Sequence, residues 1–493
     1  LLDVLVIGSG FSGLGMAHAL RAQGRDDFEI WERADRLGGT WRDNDYPGCA
    51  CDIVSPVYSF SFAPNPDWTR LYPPQAEILA YLEKVADRFD LRRHIRFGRN
   101  LVAAVWDEAA HAWHARAADG STATARHLVF GTGGLSNGKL PDIPGRDAFA
   151  GAMWHSTGWR HDYDLKGKRI AVIGTGASAV QFVPRIAARV AQLDLFQRTP
   201  PWVVPKPDRA LSDGERTRFR RFPWLQKLQR AWYYWLNETR VPALVRHPDW
   251  MVRFERLARD NIAAAIRDPG LRAKLTPAYR LGCKRILISN DYYPALARPN
   301  VAVVTEPIAR ITSAGIVTAD GVEQAYDAII FGTGFDIKAG WTGIRVVGEG
   351  GRVLSEDWAT APQALHGISV AGYPNFFITM GPNTGLGHNS MVYMIESQIA
   401  HIVSAIRLAE ARGAAAVAPK PEAQRAWADD VQRRLAGSVW QTGGCDSWYR
   451  ADGGRNISIW PGQTFTYRKA TKHAQPQDYD LLGTRPADQE RAA

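Results

Sequence analysis

The chain has 493 residues, room for roughly two to four domains. At 45% hydrophobic and 22% charged residues it is too apolar for a disordered chain. No apolar run reaches the roughly 18 residues a membrane span needs, and four cysteines (Cys49, Cys51, Cys283, Cys445) are too few for a disulfide scaffold at this length. Sixty Lys and Arg against 50 Asp and Glu give +10, which leaves nucleic acid, an anionic cofactor and a membrane surface to be weighed. No signal-peptide pattern precedes the first apolar run, and the expectation is a cytoplasmic enzyme.

That run, Leu1 to Ile7, reads as a strand. Gly8-Ser9-Gly10-Phe11-Ser12-Gly13 follows it and opens a helical pattern. In this setting a GxGxxG makes chemical sense. Gly8 permits the tight turn, Gly10 lets backbone approach a pyrophosphate, and Gly13 lets helix and strand pack closely. The helix N-terminus then offers free N–H groups and a positive dipole end to the phosphates. Glu32 closes the next strand, where a carboxylate accepts hydrogen bonds from a ribose diol. A further strand, from His127, ends in a glycine turn at Leu135.

The same arrangement recurs downstream. A strand beginning at Arg169 leads into Gly174-Thr175-Gly176-Ala177-Ser178-Ala179 and a helix, with alanine in the last glycine position. Its second strand ends in Gln197-Arg198-Thr199, with no carboxylate at the ribose position. A guanidinium there binds a 2′-phosphate that a carboxylate would repel, so this cradle favours NADPH over NADH. Tyr326 to Asp336 repeats the returning strand and glycine turn. The fold class is therefore α/β, with two doubly wound, Rossmann-like nucleotide-binding domains and two bound cofactors.

Between the second cradle and its returning strand lies a helical insertion. Residues 216–259 hold 11 basic and 3 acidic side chains, net +8, interleaved with aromatics. Trp224, Leu225, Leu228, Trp232, Trp235 and Leu236 recur at helical spacing. The reading is a subdomain whose aromatic face packs inward and whose arginines are solvated. The alternative is an interfacial helix or lid in weak contact with a membrane surface. No nucleic-acid reader motif accompanies the charge. Beyond about Gln475 the polar end reads as a loose tail.

Metal and hydrolase chemistry find no support. Cys49-Ala50-Cys51 has no second pair at zinc spacing. His111 and His114 fall in a hairpin pattern and read as surface residues. Neither HExxH nor GxSxG occurs in its required setting.

Two longer patterns are more specific. Phe149-Ala150-Gly151 through His155 to Trp159 matches FxGxxxHxxxW, immediately before the second cradle. Gly38-Gly39-Thr40-Trp41, Tyr46-Pro47-Gly48 and Asp52 match GGxWxxxxYPGxxxD. Cys283-Lys284-Arg285 followed by Asp291-Tyr292-Tyr293, and a late Gly381-Pro382-Asn383 with Met391, extend the likeness over nearly the whole chain. In these residues the sequence resembles the type I Baeyer–Villiger monooxygenases. Trp159 stands where the related flavin-containing monooxygenases usually carry Tyr or Phe.

The resemblance implies FAD and NADPH as cofactors and a ketone and O2 as substrates. It implies an ester or lactone product formed through a flavin C4a-peroxide. It assigns residues 1–137 and 336–493 to an FAD-binding domain, 138–204 and 283–335 to an NADP-binding domain, and 205–282 to the insertion. Arg285 matches the family's catalytic arginine and Asp52 the carboxylate that pairs with it. For FAD it implies Ser12, Glu32, Thr40, Trp41, Asp52, Tyr58 and Met391. For NADP it implies Lys284 beside Arg198 and Thr199, with Trp448 as a looser match. His155 is read as coupling domain motion to NADP binding rather than as an acid–base group. Two other functions stay open: oxidation of amine nitrogen or sulfide sulfur, and a non-catalytic flavoprotein acting as redox sensor or membrane-surface binder.

Overall fold

The computed structural model of the protein describes residues 1–451 and 453–484. Its first strands are β1 (Leu2–Ile7), β2 (Phe28–Trp31), β3 (Ile95–Arg96), β4 (Leu101–Asp107), β5 (Ala112–Ala117) and β6 (Thr122–Phe130). A second group follows: β7 (Ala152–His155), β8 (Arg169–Ile173), β9 (Gln192–Phe196), β10 (Val301–Val304) and β11 (Ala328–Phe331). Late strands β12 (Arg345–Val347) and β13 (Phe376–Ile378) return to the first group, and β14 (Ala414–Pro419) pairs with β15 (Tyr479–Thr484).

The first sheet runs β12-β4-β5-β6-β1-β2-β3, with β13 also on β6. The second runs β10-β9-β8-β11-β7 and is parallel throughout. Val4, Leu5 and Val6 are fully buried, as are Ile170, Ala171 and Val172. Strands covered on both faces take continuous apolar runs rather than alternating ones. Helix α1 (Phe11–Arg21) follows β1, the short α2 (Thr40–Asp43) follows β2, and α3 (Ala177–Ile186) follows β8. The two sheets are joined by two chain crossings that bridge antiparallel at Gly138 and Phe335. In the β4–β5 hairpin Trp113 is buried and donates to Pro374 O at 2.8 Å, while His114 is exposed.

Two expectations change. The segment beyond Gln475 is not loose as far as it is described: β15 pairs along β14, and buried Tyr479 brings its hydroxyl 2.7 Å from His401 Nε2. An apolar anchor and a ladder of backbone bonds fix what polar composition alone suggested was free. The remainder of that tail, residues 485–493, lies outside the described residues.

The aromatic face of the insertion does not pack inward. Helices α4 (Asp213–Arg221), α5 (Pro223–Glu238) and α6 (Met251–Ala265) form there. On α5 the buried residues are Gln226, Asn237 and Glu238, while Trp224, Leu228, Trp232 and Trp235 are each more than half exposed. The periodicity located the helix correctly. Tyr233 and Tyr234, packed on Val54, Val57, Leu71 and Tyr72, and the polar contacts of Gln226, Arg230 and Glu238 set the face that turns inward.

A disulfide, Cys283–Cys445, joins segments 162 residues apart. It is a single staple rather than a scaffold, and it ties the segment carrying Lys284 and Arg285 to the one carrying Trp448. Cys49 and Cys51 are free, buried thiols. Closing so long a loop restricts the unfolded chain, with a typical effect of about 2–4 kcal/mol. Denaturant unfolding of Cys445→Ser should show a loss of that size, and added reductant should produce no further loss in the variant.

Candidate functional site

Both nucleotide cradles have the same backbone construction. Gly8 has φ +99°, and a Cβ there would lie 2.7 Å from Gly131 O. Gly174 has φ +105°, and a Cβ would lie 2.4 Å from Gly332 O. In each unit the turn glycine is therefore pressed against the glycine of the returning strand, and no side chain fits. Neither Gly10, ahead of α1, nor Gly176, ahead of α3, is accompanied by a side-chain cap. The first-turn N–H groups, Ala177 and Ser178 among the residues that carry them, are left for an anion. These features fit a dinucleotide pyrophosphate at each cradle.

Glu32 is buried at the end of β2. Its Oε2 accepts from Ser9 N at 3.0 Å and Ser9 Oγ at 2.7 Å, and its Oε1 lies 2.8 Å from Arg42 Nη1. Burial pushes this carboxyl up, but the Arg42 charge and the N–H donors outweigh it and hold it below the usual range. Ser12 is buried beside Gly131. Thr40 and Trp41 open α2, and Trp41 Nε1 donates to Tyr58 Oη at 3.1 Å. Met391 is the first residue of helix α7 (Met391–Ala411), which Ser390 caps through Val392 N.

Asp52 and Arg285, 233 residues apart, meet side by side. Arg285 Nε donates to Oδ2 at 2.6 Å and Nη2 to Oδ1 at 2.7 Å. This is a bidentate fork whose third nitrogen, Nη1, has no hydrogen-bond partner among the described residues. Arg285 stands two residues before Leu287–Ile288, which pairs in parallel with Val203–Val204. The Asp52 loop is held by Cys51 N donating to Pro73 O at 2.9 Å. Burial pushes Asp52 up, but the Arg285 charge and hydrogen bonds prevail and keep it low. The Asp52 charge pushes Arg285 above its already high value. The side chains are 39% and 26% exposed, so the pair is ionised yet reachable.

Sequence reasoning missed Lys206 and Tyr449 here. Lys206 leaves the same two-stranded ribbon, with Nζ 5.1 Å from the centre of the Tyr72 ring, and its charge helps keep Asp52 ionised. The run Pro205-Lys206-Pro207, in which two prolines restrict the backbone on either side of the lysine, marks the position. Buried Tyr449 is near enough to Arg285 for its hydroxyl to feel that charge, although burial dominates and pushes it up to about 12.

On the second unit, Thr175 Oγ1 donates to Thr199 O at 3.1 Å, tying cradle to strand end. Arg198 is exposed and lies close enough to Lys284 to disfavour its charge. Burial, then Arg198, push the Lys284 ammonium down. Two neighbouring cations with no ion pair among the described residues make a site for a multiply charged anion. Trp448 is 54% exposed, and the ring it meets is its neighbour Tyr449.

The long motifs form the joint between the two units. Tyr46 Oη donates to Gln181 Oε1 at 3.0 Å, and Gln181 Nε2 donates to Ala50 O at 2.9 Å, across to α3. Trp159 packs on Phe182 of the same helix, 5.2 Å between ring centres. His155 ends β7. Its ring fills the space above Gly138, where a Cβ would come within 2.4 Å of Nδ1, and Nδ1 accepts from Thr157 N at 3.1 Å. It thus sits against a chain crossing between the sheets.

A profile of the flavin-binding monooxygenase-like family matches residues 2–342. A Baeyer–Villiger monooxygenase of Streptomyces coelicolor is 50% identical over 98% of this chain and 93% of its own. One from Pseudomonas aeruginosa is 51% identical over 98% and 92%. Among solved structures, a steroid monooxygenase bound to NADP superposes with a TM-score of 0.87 at 33% identity, covering 97% of this chain and 99% of that one. The closed form of cyclohexanone monooxygenase gives 0.87 at 29% identity, over 98% and 99%. With its paired cradles, both long motifs and this likeness over almost its full length, the chain belongs to the flavin-binding monooxygenase-like family and, within it, to the Baeyer–Villiger monooxygenases.

Proposed function

We propose that this enzyme uses NADPH and O2 to insert one oxygen atom beside a ketone carbonyl, giving an ester or lactone while the second oxygen leaves as water. The observation that carries the reading is the Arg285–Asp52 fork with its free Nη1. Bound FAD, reduced by NADPH, supplies the activation of O2. The protein's part is to hold charge and geometry. Asp52 fixes the plane of the guanidinium. Nη1 remains to donate to an oxygen that gains negative charge as the carbonyl becomes tetrahedral. Arginine suits this position because it stays protonated when partly desolvated.

Gly8, Gly10, Gly13, Ser12, Glu32, Thr40, Trp41, Tyr58 and Met391 are the residues that would hold FAD. Gly174, Thr175, Gly176, Ala177, Ser178 and Thr199 would hold NADPH, with Arg198 and Lys284 on its 2′-phosphate and Trp448 alongside. No helix among the described residues is long and apolar enough to cross a membrane. The cytoplasm, where NADPH is regenerated, is the compartment this reading implies.

A panel of ketones incubated with the FAD-loaded enzyme, NADPH and 18O2 should yield esters or lactones carrying one heavy oxygen by mass spectrometry. Untouched ketones, with sulfides or amines oxidised instead, would replace this reading by the heteroatom oxidase. Removing a charged partner from the 2′-phosphate should cost about 10- to 100-fold. Arg198→Ala and Lys284→Ala should raise KM for NADPH by that factor and leave KM for NADH nearly unchanged. Because the Lys284 ammonium is pushed down, KM for NADPH should rise with pH before an ordinary lysine would titrate, and Lys284→Arg should abolish that rise.

A further inference from the structure

We propose that the outward face of α5 is a docking surface for anionic lipid. A surface helix ordinarily buries its apolar stripe and shows polar residues to water. Here α5 packs Tyr233 and Tyr234 inward against Val54, Val57, Leu71 and Tyr72, yet a second apolar line stays outside, and the polar inner contacts explain why it stays so. Gln226 Nε2 donates to Asn65 O. Arg230 Nη1 donates to Pro56 O at 2.8 Å and Ser59 O at 2.9 Å. Glu238 Oε1 accepts from Asn389 Nδ2 at 2.7 Å and Thr464 Oγ1 at 2.6 Å. These bonds clamp the polar side to the body of the enzyme. Trp224, Leu228, Trp232 and Trp235 are thereby held outward along one helical line, and half-exposed Phe465 continues it, 5.6 Å from the Trp235 ring centre.

Charge selects the occupant. Arg216 and Arg220 on α4 pair with Asp213 and Asp67. Exposed Arg218 and Arg221 at the end of α4, and exposed Lys227 on α5, have no ion pair among the described residues. Unpaired cations beside exposed tryptophans match the region between headgroup phosphates and acyl chains, where indoles prefer to sit and each cation gains from anionic lipid. A second copy of the chain fits less well, because a symmetric contact would bring these cations against their own counterparts.

The test uses the FAD-loaded enzyme and sedimentation with vesicles of phosphatidylcholine alone or mixed with phosphatidylglycerol. Binding to the mixed vesicles at about 20 mM salt, lost at about 500 mM, is expected. Arg218→Gln with Arg221→Gln should weaken it about tenfold or more, and Trp232→Ser with Trp235→Ser should abolish it. Flavin content and thermal unfolding of the variants should stay close to the parent, since all four side chains are exposed. No sedimentation at low salt would overturn the proposal, as would equal binding to neutral vesicles that ignores the arginines. Light scattering that shows a dimer, dissociated by the tryptophan variants, would assign the face to self-association instead.

Discussion

The proposed chemistry depends on the two-point contact between Asp52 and Arg285. A partly exposed ion pair contributes little to stability, typically under about 1 kcal/mol. Its value here is orientation. With Nε and Nη2 engaged by one carboxylate, the guanidinium plane is fixed, and Nη1 is left as a donor without a hydrogen-bond partner among the described residues. Arg285 above all keeps Asp52 ionised, and Lys206 adds a smaller positive contribution from the same neighbourhood.

Such a contact forms only if remote chain segments are brought into register. Asp52 belongs to the loop after α2, and Arg285 follows the helical insertion. The fold solves this by docking the Tyr46–Asp52 loop against α3 through Tyr46, Gln181 and Ala50, so that the first unit reaches onto the helix of the second. The Val203–Val204 and Leu287–Ile288 ribbon then sets the height of Arg285 from the other side. The disulfide ties that arm to the C-terminal segment. Trp159 and His155 belong to the same joint, which gives the long motifs a physical meaning: they specify how two nucleotide-binding units meet.

The sheets and cradles were legible because strong local rules govern them. Continuous apolar runs, positive-φ glycines and helix starts lie within a few residues of one another, and each constrains the next. The Asp52–Arg285 contact was legible through the family's motifs, since nothing local links residues 233 apart. What stayed hidden was tertiary. The spacing of Trp224, Leu228 and Trp232 reports a helix face without saying which way it turns, and Gln226, Arg230 and Glu238 decide that through partners far along the chain. Cys283 and Cys445 show no spacing pattern, and Tyr479 is a single anchor in a polar tail.

The most direct measurement is the rate at which FAD-loaded Arg285→Ala forms ester from a ketone the parent accepts, with flavin reduction by NADPH followed in the same sample. Loss of one fixed donor to an oxyanion costs about 100- to 1000-fold. Ester formation should fall by that factor while NADPH still reduces the flavin. Ester formation at the parental rate would contradict the role assigned to the guanidinium and, with it, the account of the site.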